Sequence, residues 1–234
     1  MRSRMLFVVA LLVAALFVGD ALAGGVAGTV KYDGAVPKLR PIKMDADPGC
    51  AKKHSGPVTP EVLVLGEGNT MANIFVHVTG GLPSKQHSTP SEAVTIDQNG
   101  CTYVPHVLGI MVGQKLEILN SDGLLHNVHA LPKVNKGFNR AMPGSVGSAE
   151  YSFDKPESMF KIKCDVHPWM GAYVAVMEHP YFSVTGTDGK FGIDGLPAGT
   201  YEVEAWHERL GTQTFKVTIA GDETQTQDVV FSKP

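Results

Sequence analysis

Apolar side chains recur at every second position along short stretches of this chain, and turns rich in glycine or proline separate one stretch from the next. In residues 72–78, Ile74, Val76 and Val78 fall on one face, and in Phe160-Lys161-Ile162-Lys163-Cys164 the lysines alternate with Phe160, Ile162 and Cys164. Side chains of a strand point alternately to its two faces, so this period buries one face and wets the other. Residues 114–119 and 173–177 read as further strands, and Gly80-Gly81-Leu82-Pro83-Ser84 and Pro143-Gly144-Ser145-Val146-Gly147 as loops. With 26 Gly and 15 Pro among 234 residues and no amphipathic helical period, the chain is expected to be all-β.

One of these strands runs into a dense set of metal donors. Cys164-Asp165-Val166-His167-Pro168-Trp169-Met170 carries a thiol, an imidazole and a thioether in one short loop. Cys and Met are soft donors and His is intermediate, so the set favours copper over hard cations, which take oxygen ligands. A lone Cys or Met is most often core filling, but here the strand alternation delivers Cys164 from the inward face and Gly171 turns the chain into the next strand. An electron-transfer copper site needs a second His. His126, in Asn120-Ser121-Asp122-Gly123-Leu124-Leu125-His126-Asn127-Val128-His129, is the candidate. His129 stands at odd spacing from it, on the opposite face of an extended segment, and is read as structural or as a neighbour that tunes the site.

These motifs resemble those of the cupredoxins, the blue copper family, and the late loop is similar to that of amicyanin. The resemblance implies an amicyanin/plastocyanin-like Greek-key β-sandwich holding one type 1 copper ion through His126, Cys164, His167 and Met170. It also implies that Asn127 ties the two ligand loops together by hydrogen bonds. By the same resemblance, the imidazole edge of His167 lies near the surface as the electron's exit, with Pro168 and Trp169 forming an apolar docking patch around it.

The character of the chain changes after Val176. Residues 181–191 read as a hairpin turning near Asp188-Gly189, and Gly195-Leu196-Pro197-Ala198-Gly199-Thr200-Tyr201 leads into another strand. This tail resembles the carboxypeptidase regulatory-like domains, which are small transthyretin-like β-sandwiches. The expected division is a signal peptide at 1–23, a cupredoxin-like domain at 24–178 and the regulatory-like domain at 179–234. So short a tail offers a small core, and Val26-Ala27-Gly28-Thr29-Val30-Lys31-Tyr32-Asp33-Gly34 looks like the opening strand it lacks. Part of residues 24–80 is therefore expected to complete the second sandwich.

The N-terminus has the form of a secretory signal: Met1-Arg2-Ser3-Arg4, an apolar run over 5–18, then Ala21-Leu22-Ala23 before Gly24. The run is short for a membrane span, which takes about 20 residues, so an exported protein in the periplasm or outside the cell is expected, with no stable span after cleavage and a retained anchor as the alternative. Cleavage after Ala23 removes Arg2, Arg4 and Asp20 and takes the formal charge from −3 to −4, and neither value suits nucleic-acid binding. In an oxidising compartment Cys50 and Cys101 can pair and leave Cys164 free for metal. Two lesser alternatives are metal pairs of Cys101 with His106 and of Cys50 with His54, each short of the three or four ligands such sites need.

The function expected is an electron carrier working between a redox-protein donor and acceptor, not an enzyme. No Gly-x-Ser-x-Gly, His-Glu-x-x-His or phosphate loop is present, and a copper oxidase needs additional copper sites where a single ligand set is evident. Lys133, Lys136 and Arg140 could steer an acidic partner, although the ordinary reading is a solvated charged loop. The alternatives are a copper carrier or store, and a binding module whose metal stabilises the fold.

Overall fold

The computed structural model describes residues 23–233. The expected signal sequence lies almost wholly outside the described residues. Among those described, no helix is long and apolar enough to cross a membrane.

The strands, in chain order, are β1 (Ala23–Asp33), β2 (Phe75–Gly80), β3 (Val94–Asn99), β4 (Thr102–Val104), β5 (Val107–Met111), β6 (Leu116–Asn120), β7 (His126–Leu131), β8 (Phe138–Met142) and β9 (Ser148–Tyr151). They continue with β10 (Glu157–Lys163), β11 (Gly171–Met177), β12 (Phe182–Val184), β13 (Lys190–Pro197), β14 (Gly199–His207), β15 (Gly211–Ile219), β16 (Thr224–Thr226) and β17 (Val229–Ser232). The fold is all-β, in two bodies.

Residues 94–177 make the first body, from a sheet ordered β4-β3-β6-β9 and another ordered β5-β11-β10-β7-β8. Ile96, Ile110, Leu116, Ile118, Val128 and Ile162 fill the core of this body. β10 follows its sequence period: Phe160 and Ile162 are buried and Lys161 is exposed. Each such aliphatic side chain contributes about 1.5–3 kcal/mol by leaving water.

The second body joins the two ends of the chain. β1 runs antiparallel to β13 and parallel to β16 and β17, while β2 lies between β12 and β14. Residues 23–33 and 75–80 therefore share sheets with residues 182–232, around a core of Val26, Val30, Ile74, Val76, Phe191, Val203 and Phe231.

The expected hairpin over 181–191 does not form. A turn is present, closed by the Gly189 N–H on the Gly186 carbonyl, but its two arms enter different sheets: β12 pairs with β2 and β13 with β1. Gly189 has φ +69°, and a Cβ there would meet the Val30 carbonyl oxygen at 2.6 Å. The turn is thus wedged against β1 and crosses the sandwich instead of folding back on itself.

The bodies meet along Phe75, Val107, Ala175 and Met177, with Phe182 and Trp206 against them. A polar cluster flanks this seam, where His106 Nε2 lies 2.8 Å from a Glu208 oxygen and the Tyr173 hydroxyl donates to the other at 2.9 Å. The segment before β2 supplies one helical turn, Pro48–Ala51, capped by Asp47, whose Oδ1 accepts from the Gly49 and Cys50 N–H groups. A Cys50–Cys101 disulfide ties this turn to the first body.

Candidate metal centre

β7 and β10 are antiparallel neighbours, with His129 opposite Lys163. The start of one therefore lies beside the end of the other, and His126 at the head of β7 comes next to Cys164 just past β10. The loop from Cys164 to Met170 closes on itself: the Met170 N–H donates to the His167 carbonyl at 2.9 Å, and the Cys164 N–H to the Met170 carbonyl at 3.2 Å.

This folding brings His126, Cys164 and His167 together. Nδ1 of His126 and Nδ1 of His167 are 2.9 Å apart, and Cys164 Sγ lies 3.9 Å from the latter. One ligand atom from each of the three lies within 4.8 Å of the others. The three residues are 0 %, 1 % and 2 % exposed in the order His126, Cys164, His167. Met170, at 1 %, is buried in the same core.

The outer edges of both rings face carboxylates. His126 Nε2 is 2.8 Å from Asp122 Oδ2, and His167 Nε2 is 2.9 Å from Asp47 Oδ2. A carboxylate accepts, so each ring carries a proton on Nε2, and in the neutral form its Nδ1 lone pair faces inward. Two nitrogens at 2.9 Å share either a proton or a metal cation between them, and a thiol sulfur stands beside them. The donor set thus fits a soft transition-metal ion such as copper.

The local electrostatics keep these groups ready to bind. Burial is the largest cause holding the His126 pKa below its ordinary value, against the raising effect of Asp122, and it favours the neutral ring. Burial raises the Asp122 pKa, but donors from Cys101, His126, Lys53 and Gly100 outweigh that and leave the carboxyl below its ordinary range. The His167 hydrogen bond is the main cause holding Asp47 below its ordinary value.

Asn127 links the two loops. Its Oδ1 accepts from the backbone of Asp165 at 2.6 Å and Val166 at 3.3 Å, and from the Cys164 thiol at 3.4 Å. Its amide donates to Asn139 at 2.7 Å and to the Asp165 carboxylate at 3.2 Å. Lys163, followed by Asn139 and His129, holds the Asp165 carboxyl far below the carboxylate range. His129 lies outside the donor cluster, with Nδ1 2.9 Å from Asp165.

The expected surface edge of His167 is not found. The Asp47 turn covers it, and Cys50 Sγ lies 3.5 Å from Nε2. The Trp169 ring, 5.0 Å from the His167 ring, donates its indole N–H to the Cys101 carbonyl and lines a cleft of about 270 Å³ with Met170, Tyr173 and Glu208. Pro168 is exposed, but no His167 edge opens beside it. His54 bonds the Gly100 carbonyl, and His106 lies against Glu208 and the Gly171 carbonyl, so the alternative metal pairs with Cys50 and Cys101 do not form.

Asp47 and Asp122 were not singled out from sequence. Asp122 stands four residues before His126, and Asp47-Pro48-Gly49-Cys50 carries an N-cap signature with Pro at the first helical position. Neither signal says which ring the carboxylate will meet.

Residues 166–232 match the carboxypeptidase regulatory-like domain. The match begins inside the ligand loop, ahead of the expected boundary at 179, and takes in β11 of the first body. Among solved structures, the chain is similar to a copper-containing nitrite reductase (NirK) from Thermus scotoductus SA-01, with 21 % identity over 43 % of this chain and 26 % of that one and a TM-score of 0.35. It spans only about a quarter of that enzyme's length. A reduced amicyanin variant is 23 % identical over 36 % of this chain and 82 % of that one, with a TM-score of 0.33. A purple cupredoxin from Nitrosopumilus maritimus is 25 % identical over 36 % of this chain and 98 % of that one, with a TM-score of 0.30. No curated protein matches the chain by sequence. The stretch from 166 to 232 is thus similar to a carboxypeptidase regulatory-like domain, and part of this all-β chain is similar to solved copper proteins.

Proposed function

We propose that this protein is an exported type 1 copper protein that passes single electrons between redox partners and is not itself an enzyme. The observation that carries the reading is the convergence of His126 Nδ1, His167 Nδ1 and Cys164 Sγ in a buried cluster. Bound copper supplies a one-electron Cu(I)/Cu(II) couple. Cys164 would supply the thiolate, His126 and His167 two nitrogens, and Met170 a thioether.

The protein's part is to hold these donors still. Asn127 fixes the loop after Cys164, the His167 N–H donates to Cys164 Sγ at 3.3 Å, and the Asp47 turn seals the His167 edge from water. With that edge covered, the Trp169 ring is the aromatic group between the ligand cluster and the cleft, and we assign the electron's exit to it. Of the four donors only Met170 reaches the cleft lining, while His126, Cys164 and His167 are buried behind it. The same closure disfavours a carrier that hands its copper on. Export is supported by the Cys50–Cys101 disulfide, a bond that persists in oxidising compartments.

The test is to add Cu(II) to the protein and record visible and electron-paramagnetic spectra. An intense thiolate-to-copper charge-transfer band with a narrow copper hyperfine pattern is expected, and it should bleach and return through cycles of reduction and oxidation. Absence of that band defeats the type 1 assignment.

A further inference from the structure

The carboxylates behind the two ligand histidines come from distant parts of the chain, and one covalent link braces both. Asp122 is in the loop before β7, its side chain 1 % exposed, and it accepts from the Gly100 N–H at 2.8 Å, the Cys101 N–H at 2.7 Å and Lys53 at 3.1 Å besides facing His126. Asp47 spends Oδ1 on capping its helical turn, which leaves Oδ2 for His167. Cys50 in that turn is joined to Cys101, the residue whose N–H holds Asp122. The disulfide therefore joins the segments that carry the two carboxylates.

We propose that Asp47 and Asp122 are positioning residues of the copper centre, each fixing one ligand histidine as the tautomer that presents Nδ1 to the metal and each favouring the oxidised ion. The inference rests on the copper reading above. A neutral imidazole has one N–H, and an acceptor at Nε2 leaves the lone pair on Nδ1. A carboxylate behind a ligand ring also raises its basicity, which strengthens binding of the more highly charged ion. His167 receives this from a segment 120 residues away in sequence, so the Asp47 turn acts on the metal without touching it.

The test compares the unmodified protein with Asp47→Asn and Asp47→Ser. Both replacements keep an oxygen able to cap the helical turn, and both remove the charged acceptor from His167. Using two guards against a folding defect in either, which far-UV circular dichroism reports. Affinities for Cu(II) and Cu(I) are measured by competition with chromophoric chelators, alongside the electron-paramagnetic spectrum and the midpoint potential.

Cu(II) affinity is expected to fall about 10- to 100-fold, the usual cost of losing such a partner, with a smaller loss for Cu(I). The potential then rises by about 59 mV for each tenfold difference between the two losses. Unchanged affinities and potential in folded variants overturn the positioning role while leaving the copper reading intact. Equal losses for both ions at constant potential overturn it as well, since they mark a purely structural contact. If the unmodified protein itself shows no thiolate band, the copper reading fails first, and the positioning role falls with it.

Discussion

His126 and His167, 41 residues apart in sequence, face each other through their Nδ1 atoms at 2.9 Å while a carboxylate occupies the far edge of each ring. Two rings held in this way are preorganised for a cation between them. The thiol of Cys164 supplies the third side.

Replacement of Cys164 or His126 by Ala is expected to abolish the visible band on copper addition, because each removes a donor from the cluster. His129→Ala should keep the band, since His129 bonds Asp165 and stands outside that cluster. Optical titration with Cu(II) distinguishes the three variants. Bleaching by His129→Ala as complete as by His126→Ala would reverse the choice of first ligand.

Trp169→Leu is expected to slow electron exchange with small redox complexes while leaving the spectrum and potential close to those of the unmodified protein. The Trp169 ring is 5.0 Å from His167 and lines the adjacent cleft, but it donates no ligand atom. Stopped-flow reduction measures the rate. An unchanged rate places the exit elsewhere.

Removal of the Cys50–Cys101 disulfide by double substitution with Ala should lower stability and loosen the cover on His167. A link across 51 residues contributes at most about 4 kcal/mol in the chain-entropy view. Thermal unfolding reads the first effect, and the rate of copper loss to a chelator reads the second. A lower melting temperature with no faster loss would show that the cover does not depend on the link.

His106 and Glu208 make stability depend on pH at the seam between the bodies. Burial lowers the His106 pKa, but Glu208 and Glu61 raise it by more, so its contribution is full below its ordinary value of 6.5 and is lost as pH rises through the higher folded pKa. Burial raises the Glu208 pKa, but His106 and Tyr173 outweigh this, so its contribution is full above its ordinary value of 4.5 and is lost as pH falls through the lower folded pKa. Glu208→Gln should therefore cost most between those two values, on the order of 1–3 kcal/mol for a partly buried pair, and less above the folded pKa of His106. Denaturant unfolding across and above this window checks the prediction; a cost that does not vary with pH counts against it.

Local pattern carried much of this protein into view. Alternation over 160–164 marks a strand because strand side chains have a period of two, and Cys164-x-x-His167-x-x-Met170 marks a ligand loop because its donors are close along the chain. Tertiary structure alone decided what lies across larger separations. Asp47 meets His167 over 120 residues, β1 joins β17 from the other end of the chain, and the arms of the turn at Gly189 divide between two sheets. Strand pairing and burial depend on which surfaces meet in space, and a period along one segment fixes which of its faces is apolar without naming the surface that will cover it. For that reason the residues His126, Cys164 and His167 that converge in the candidate centre were legible in the sequence, whereas the carboxylates behind them and the closure over His167 were not.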